Sequence, residues 1–178
     1  DVERIVPKTD FLGEIPKLGK NDEELVQKND RSMLAESFRI LRTNLQYQFL
    51  NAIDKKGANR IFVTSTVKGE GKTFVAFNLA LTLALTGKKV ILIGAVIRNP
   101  QLHRYSANDK KGDKGLTEYI IDENITANEL IQPSMFNENL SIIHSGVIPP
   151  NPAELLMRPR TETFFEELEN DFDYIIVD

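Results

Sequence analysis

A run near the middle of the chain, Ser65-Thr66-Val67-Lys68-Gly69-Glu70-Gly71-Lys72-Thr73, has the composition needed to hold phosphate groups. It follows the apolar run Ile61-Phe62-Val63-Thr64 and leads into a helical pattern, the setting that a phosphate loop requires. Glycines at 69 and 71 free the backbone to turn its N–H groups inward around anionic oxygens. The start of the next helix adds positive potential at the same place. In such a loop Lys72 reaches the β- and γ-phosphates and the Thr73 hydroxyl holds Mg²⁺. The candidate cofactor-binding residues are therefore Val67, Lys68, Gly69, Glu70, Gly71, Lys72 and Thr73, with ATP or ADP and Mg²⁺ as the ligands. Thr66 is a departure, because the full pattern has glycine there. A Gly-rich strand-to-helix turn carrying an exposed lysine is the plain alternative.

Two further apolar runs bear on phosphate chemistry. Phe172-Asp173-Tyr174-Ile175-Ile176-Val177 runs directly into Asp178. An aspartate ending a buried strand, about 100 residues beyond a phosphate loop, can hold Mg²⁺ directly or through water. Thr73 and Asp178 are thus the candidate metal ligands. The second run, Val90-Ile91-Leu92-Ile93, continues as Gly94-Ala95-Val96-Ile97-Arg98-Asn99-Pro100. Phosphoryl transfer needs carboxylates to position Mg²⁺ and to accept the proton of the attacking hydroxyl. Gly94 and Val96 can do neither, and an ordinary core strand followed by a turn is the alternative reading.

These residues imply a scaffold of alternating strands and helices. Strands are expected at 61–64, 90–93, 141–144 and 174–177, and helices at 71–86, closed by Gly87, and near 115–122, 127–132 and 152–169. Continuous apolar strands between helices predict a doubly wound, mainly parallel sheet with helices on both faces, the P-loop NTPase arrangement. Ahead of it, residues 1–29 read as an extended arm punctuated by Pro7 and Pro16, with the main domain spanning 30–178. A helix from about Asp30 to Ile53, capped by Asp30 or Ser32, places Leu34, Phe38, Leu41, Leu45 and Phe49 on one apolar face. Glu36 and Arg39 fall on the other side, with Arg42 nearer the boundary. Asn151 is placed to cap a helix starting at Pro152. His103 and His144 lack metal-ligand spacing, and Tyr105, Tyr119 and Tyr174 read as packing residues.

Composition bounds the possibilities. Apolar residues make up 41% and charged residues 27% of the 178, an ordinary globular balance. A net charge of -4 argues against a nucleic-acid partner bound through overall charge. The chain has no cysteine, which excludes disulfides and thiolate metal sites. No apolar run approaches the roughly 20 residues of a membrane span, and no secretory signal opens the chain. The first residue is Asp1, so the reading is of a fragment, and the end at Asp178 reads as an incomplete C-terminus.

Together these segments resemble the cytoplasmic kinase domain of bacterial tyrosine kinases, the family that controls capsule and exopolysaccharide export. The resemblance runs from about Phe11 to Asp178. In that family the second strand ends in Asp-x-Asp-x-Arg, often before a proline. This chain keeps Arg98 and Pro100 and has Gly94 and Val96 in place of the aspartates. The resemblance implies catalytic roles for Lys72, Arg98, Asp178 and position 96. It also implies a ring of like subunits assembled through Glu36, Arg39 and Arg42, with Tyr47 lining the interface. The segment from Gly146 to Leu156 resembles the family too, in a structural role. A tyrosine-rich tail beyond Asp178 and a transmembrane activator, fused or separate, are further implied parts, placing the domain at the cytoplasmic face of the bacterial inner membrane with protein tyrosines as substrates.

Three functions follow as expectations: an ATP-dependent tyrosine autokinase, weak or inactive if the carboxylate role belongs to position 96; a nucleotide-gated assembly module of the export machinery; and a positioning ATPase of MinD or ParA type. The last type carries a further lysine near the loop start that acts across a dimer. Val67 holds that register here and Lys68 comes one residue late, which argues against it.

Overall fold

The computed structural model describes residues 9–19, 22–50, 57–67, 69–95, 114–147, 149 and 151–178. The apolar runs become strands β1 (Asn59–Phe62), β2 (Val90–Ile93), β4 (Leu140–Ile143) and β5 (Tyr174–Val177), joined by the short β3 (Gln132–Pro133). Their order across the sheet is β1-β5-β2-β4-β3. Neighbouring pairs are parallel except β3 with β4. The expected mainly parallel sheet is therefore present. A two-residue strand has no hydrophobic period, so β3 left no trace in the sequence.

The helices are α1 (Met33–Leu50), α2 (Lys72–Ala84), α3 (Leu116–Ile121), α4 (Pro152–Leu156) and α5 (Pro159–Leu168), with a 3₁₀ turn at Ala127–Leu130. On one face of the sheet Ile91, Ile93, Ile143, Ile175 and Val177 pack with Leu116, Tyr119, Leu130, Phe164 and Leu168. Leu92, Ile142 and Ile176, of opposite parity, are buried as well. Helix α2 contacts β2, β4 and β5 on that second face. Its residues 76–84 are all buried, as an apolar-all-round sequence requires. Phe136, from the β3–β4 turn, meets Phe77 edge-on at 5.4 Å.

Two expected elements differ, each for a structural reason. β1 ends at Phe62 rather than Thr64, and Phe62 is 63% exposed. Among the described residues β1 pairs with β5 alone, so the continuous burial of β2 and β5 does not extend to it. The expected helix over 152–169 is two helices. Arg158 is extended (φ -69°, ψ 145°) and Pro159 has no N–H to continue the ladder. Asn151 does sit at the N-cap of α4, but its side chain donates to Glu154 Oε2 at 3.2 Å instead of capping the helix.

The chain divides into two compact units, residues 1–55 and 56–178, so α1 groups with the segment before it. Within that unit residues 9–19 form neither helix nor strand. Asn44 Nδ2 donates to the Leu12 carbonyl and Gln48 Nε2 to Asp10 Oδ2, both at 2.7 Å. Ser32 caps α1, its Oγ accepting the Ala35 N–H at 3.1 Å, while Asp30 Oδ1 accepts the Ser32 N–H at 2.7 Å. Helix α1 therefore begins at Met33 rather than Asp30, with Asp30 and Ser32 forming the cap just ahead of it.

Tyr119 anchors α3 in the core. Its ring is fully buried against Phe164 (4.9 Å between centroids) and its hydroxyl donates to Glu167 Oε1 at 2.5 Å. Burial, then the hydrogen bond and charge of Glu167, push its pKa up from 10.0 to about 12. The sign follows from linkage. Between pH 10 and 12 the unfolded tyrosine ionises while the folded one stays protonated, so stability present below pH 10 is lost through that window. Tyr119→Phe should lose less stability than the parent chain between pH 10 and 12 in urea titrations; parallel pH slopes would contradict the assignment.

Candidate nucleotide site

All four parallel strands end at one level. The register pairs Phe62 with Val177, Val177 with Ile93, and Ile93 with Ile143. The segments that follow them therefore meet along one carboxyl edge, where ligands bind in open α/β sheets. Asp178 is fixed there by its backbone: its N–H donates to the Ile93 carbonyl and its carbonyl accepts from Ala95, both at 2.9 Å. Val63, entering the loop, donates to the Val177 carbonyl at 2.9 Å.

The loop between β1 and α2 turns on two glycines. Gly69 and Gly71 have φ of 90° and 93°, in the left-handed region that other residues adopt only under strain. A Cβ would meet nothing within 4 Å at either position. The requirement for glycine is thus conformational, not one of space. Gly71 is the N-cap of α2 and supplies no side-chain acceptor, so the helix opens with N–H groups that no cap occupies.

Lys72 and Thr73, the first two residues of α2, both reach Asp178. The Lys72 ammonium pairs with Asp178 Oδ1. Thr73 Oγ1 donates to Asp178 Oδ2 at 2.7 Å. The Asp178 side chain is 1% exposed and that of Lys72 is 21% exposed. Three of the residues selected from sequence thus converge, although Asp178 lies more than a hundred positions from the other two. The grouping fits a nucleotide's phosphates and a hard cation: an ammonium, an open helix N-terminus, and hydroxyl and carboxylate oxygens of the kind Mg²⁺ takes.

Glu70 does something the sequence did not announce. Its Oε2 accepts the Val67 N–H at 3.1 Å and the Thr66 hydroxyl at 3.5 Å. Ser65 Oγ donates to the Val67 carbonyl at 3.2 Å. The only sequence signal for this was a carboxylate within hydrogen-bonding reach of a threonine at the loop start. Lys68, Val96 and Arg98 lie outside the described residues. Gly94 is described: it is buried, one residue past β2, and its N–H donates to the Ile143 carbonyl at 2.9 Å.

Glu36, Arg39 and Arg42 sit on α1, in the other compact unit. Glu36 and Arg39 pair at 2.9 Å, and Arg39 also donates to the Asp30 carbonyl. Arg42 Nε is buried without a hydrogen-bond partner among the described residues. The two arginines are therefore turned inward more than an ideal helical wheel implies. Helix α1 exposes Met33, Glu36, Ile40, Thr43, Tyr47 and Leu50, a stripe at alternating spacings of three and four, with Gln48 exposed beside it.

Comparison with known proteins places this geometry in a family. Residues 58–178 match an AAA domain family. The chain is similar to the tyrosine-protein kinase YwqD of Bacillus subtilis (strain 168), 33% identical over 167 residues, covering 90% of this chain and 67% of the relative. It is also similar to the tyrosine-protein kinase etk of Escherichia coli (strain K12), 31% identical over 159 residues, covering 89% of this chain and 21% of the relative. Across such curated relatives the chain spans from 18% to 67% of their length. Among solved structures, the chimerical protein CapA2B2 superposes with a TM-score of 0.81 at 27% identity, covering 99% of this chain and 73% of the other. With the AAA-domain match, the kinase relatives and a P-loop whose lysine and threonine meet a strand-end aspartate, the chain belongs to the bacterial tyrosine kinase family.

Proposed function

We propose that this chain is the nucleotide-binding domain of an ATP- and Mg²⁺-dependent protein tyrosine kinase that phosphorylates neighbouring copies of itself and takes part in capsule or exopolysaccharide export. The convergence of Lys72, Thr73 and Asp178 carries this reading. Lys72 would neutralise charge on the transferring phosphate, and Thr73 with Asp178 would hold Mg²⁺, which would supply further positive charge there. Arg98 steadies nucleotide or acceptor. Like subunits assemble into a ring through α1, whose exposed Met33, Ile40, Tyr47 and Leu50 beside Glu36 offer an amphipathic face. A transmembrane activator, fused or separate, holds the domain at the cytoplasmic face of the inner membrane. Among the described residues no helix is long and apolar enough to cross a membrane.

A second reading has an observation of its own. Gly94 follows β2 as Asp178 follows β5, and Ala95 bonds the Asp178 carbonyl. A carboxylate at position 94 would sit beside that of Asp178, and this chain has none there. A nucleotide-gated assembly module that binds ATP without transferring phosphate suits that arrangement.

Phosphotyrosine formation on the complete cytoplasmic domain with Mg-ATP separates the two. The expected order is the present chain lowest, Val96→Asp higher by at least about a hundredfold, the scale of a positioned acid–base group, and Gly94→Asp/Val96→Asp at least as high. If all three bind ATP and none forms phosphotyrosine, the kinase reading gives way to the assembly module.

A further inference from the structure

The phosphate loop is closed upon two of the protein's own carboxylates. Glu70 accepts the Val67 N–H and the Thr66 hydroxyl inside the loop. Asp178 accepts the Lys72 ammonium through one oxygen and the Thr73 hydroxyl through the other. Three of these four donors, the Val67 N–H, Lys72 and Thr73, belong to residues that the nucleotide reading assigns to phosphate oxygens or to the metal shell, and Thr66 adjoins them at the loop start. Charge-assisted contacts of this kind are the stronger class of hydrogen bond, so a ligand must outcompete them. We propose that Glu70 and Asp178 are resident competitors for the nucleotide, Glu70 blocking the loop and Asp178 withholding Lys72 until a divalent cation takes its carboxylate. The proposal rests on the nucleotide reading of this site and adds to it a metal-controlled gate.

The two carboxylates should act differently. Asp178 is 1% exposed, and a metal-free phosphate at Lys72 would face that buried negative charge across a shared ammonium. A cation on Asp178 removes the repulsion and releases Lys72 together. Nucleotide and Mg²⁺ therefore bind with positive coupling that runs through this one side chain. Glu70 is solvent-exposed, and its hydrogen bonds among the described residues go to Thr66 and Val67 rather than to Lys72 or Thr73. Its competition is weaker and independent of metal.

A fluorescent ADP analogue titrated in EDTA and in Mg²⁺ tests this without any catalytic readout, with thermal melts alongside. Wild type should gain about tenfold or more in affinity from Mg²⁺, a coupling of about 1.4 kcal/mol. Asp178→Asn should bind about tenfold tighter than wild type in EDTA and gain less than about threefold from Mg²⁺. Glu70→Ala should bind about threefold tighter in both buffers, with the Mg²⁺ gain unchanged. If melts show Asp178→Asn unfolded, Asp178→Ser is read against the same expectations. An EDTA affinity at or below wild type for the Asp178 variant, a full Mg²⁺ gain in it, or no change in Glu70→Ala overturns the gate while leaving nucleotide binding intact. A wild-type chain that binds the analogue in neither buffer overturns the nucleotide reading itself, and the gate with it.

Discussion

Lys72→Ala should lower Mg-ATP affinity by about a hundredfold and phosphate transfer by about a thousandfold, the scale of losing one preorganised charge donor at a transferring group. The side chain leaves α2 at its first residue and meets Asp178 at the end of β5. That geometry predicts a second effect. Removing the ammonium strands a carboxylate that is 1% exposed and, among the described residues, leaves it the Thr73 hydroxyl as side-chain donor. Breaking a buried pair by deleting one partner costs about 3 kcal/mol. Lys72→Ala should thus be less stable than wild type as well as weaker in binding, and millimolar Mg²⁺ should restore part of the stability by supplying the missing positive charge. The double variant Lys72→Ala/Asp178→Asn should recover most of the stability and none of the ATP affinity. Urea unfolding with and without Mg²⁺, beside ATP titration, reads both quantities. Unchanged ATP affinity in Lys72→Ala would remove this lysine from the phosphate site.

The candidate site was legible in the sequence because its parts are local or periodic. The β1–α2 loop is a contiguous pattern whose glycines are required by the backbone, as φ at Gly69 and Gly71 shows. β2 and β5 lie inside the sheet, flanked on both sides, and so appear as unbroken apolar runs with the boundaries 90–93 and 174–177. Less legible was everything decided by how the folded backbone brings partners together, near or far in sequence. β1 starts earlier than its apolar residues suggest because its register is set by pairing with β5. Arg39 on an ideal wheel faces away from the apolar stripe, yet its guanidinium reaches the Asp30 carbonyl, which the capping segment before α1 brings back toward the helix. Glu70 is an ordinary loop carboxylate in one dimension and becomes a ligand of its own loop only once Gly69 and Gly71 have folded the chain back.

Arg160 is the residue whose weight was invisible in the sequence, and its loss should be the largest single destabilisation outside the nucleotide site. On α5, its guanidinium donates to the carbonyls of Tyr119 (2.6 Å) and Ile125 (2.7 Å), and to those of Asp122 and Glu123 (3.2 Å each). It also lies over the Tyr119 ring, 4.2 Å from its centre. Those carbonyls are at the end of α3 and in the turn beyond it, where a helix has no N–H groups left to satisfy them. The opposite end of α3 is tied to the carboxyl edge of the sheet. Leu116 and Thr117 donate to the His144 and Ser145 carbonyls at 2.9 Å, and Glu118 accepts from Gly115 and Val147. Arg160→Ala therefore frees one end of a short helix whose other end stands beside the site, at a cost of about 3 kcal/mol from unmade carbonyl hydrogen bonds and the lost cation–π contact. Arg160→Lys should recover less than half of this, because one ammonium cannot span four carbonyls that a planar five-donor fork reaches. The urea midpoint should fall in the order wild type, lysine, alanine, at constant m. A lysine variant as stable as wild type would show that charge over the ring, rather than the fan of hydrogen bonds, holds α3 in place.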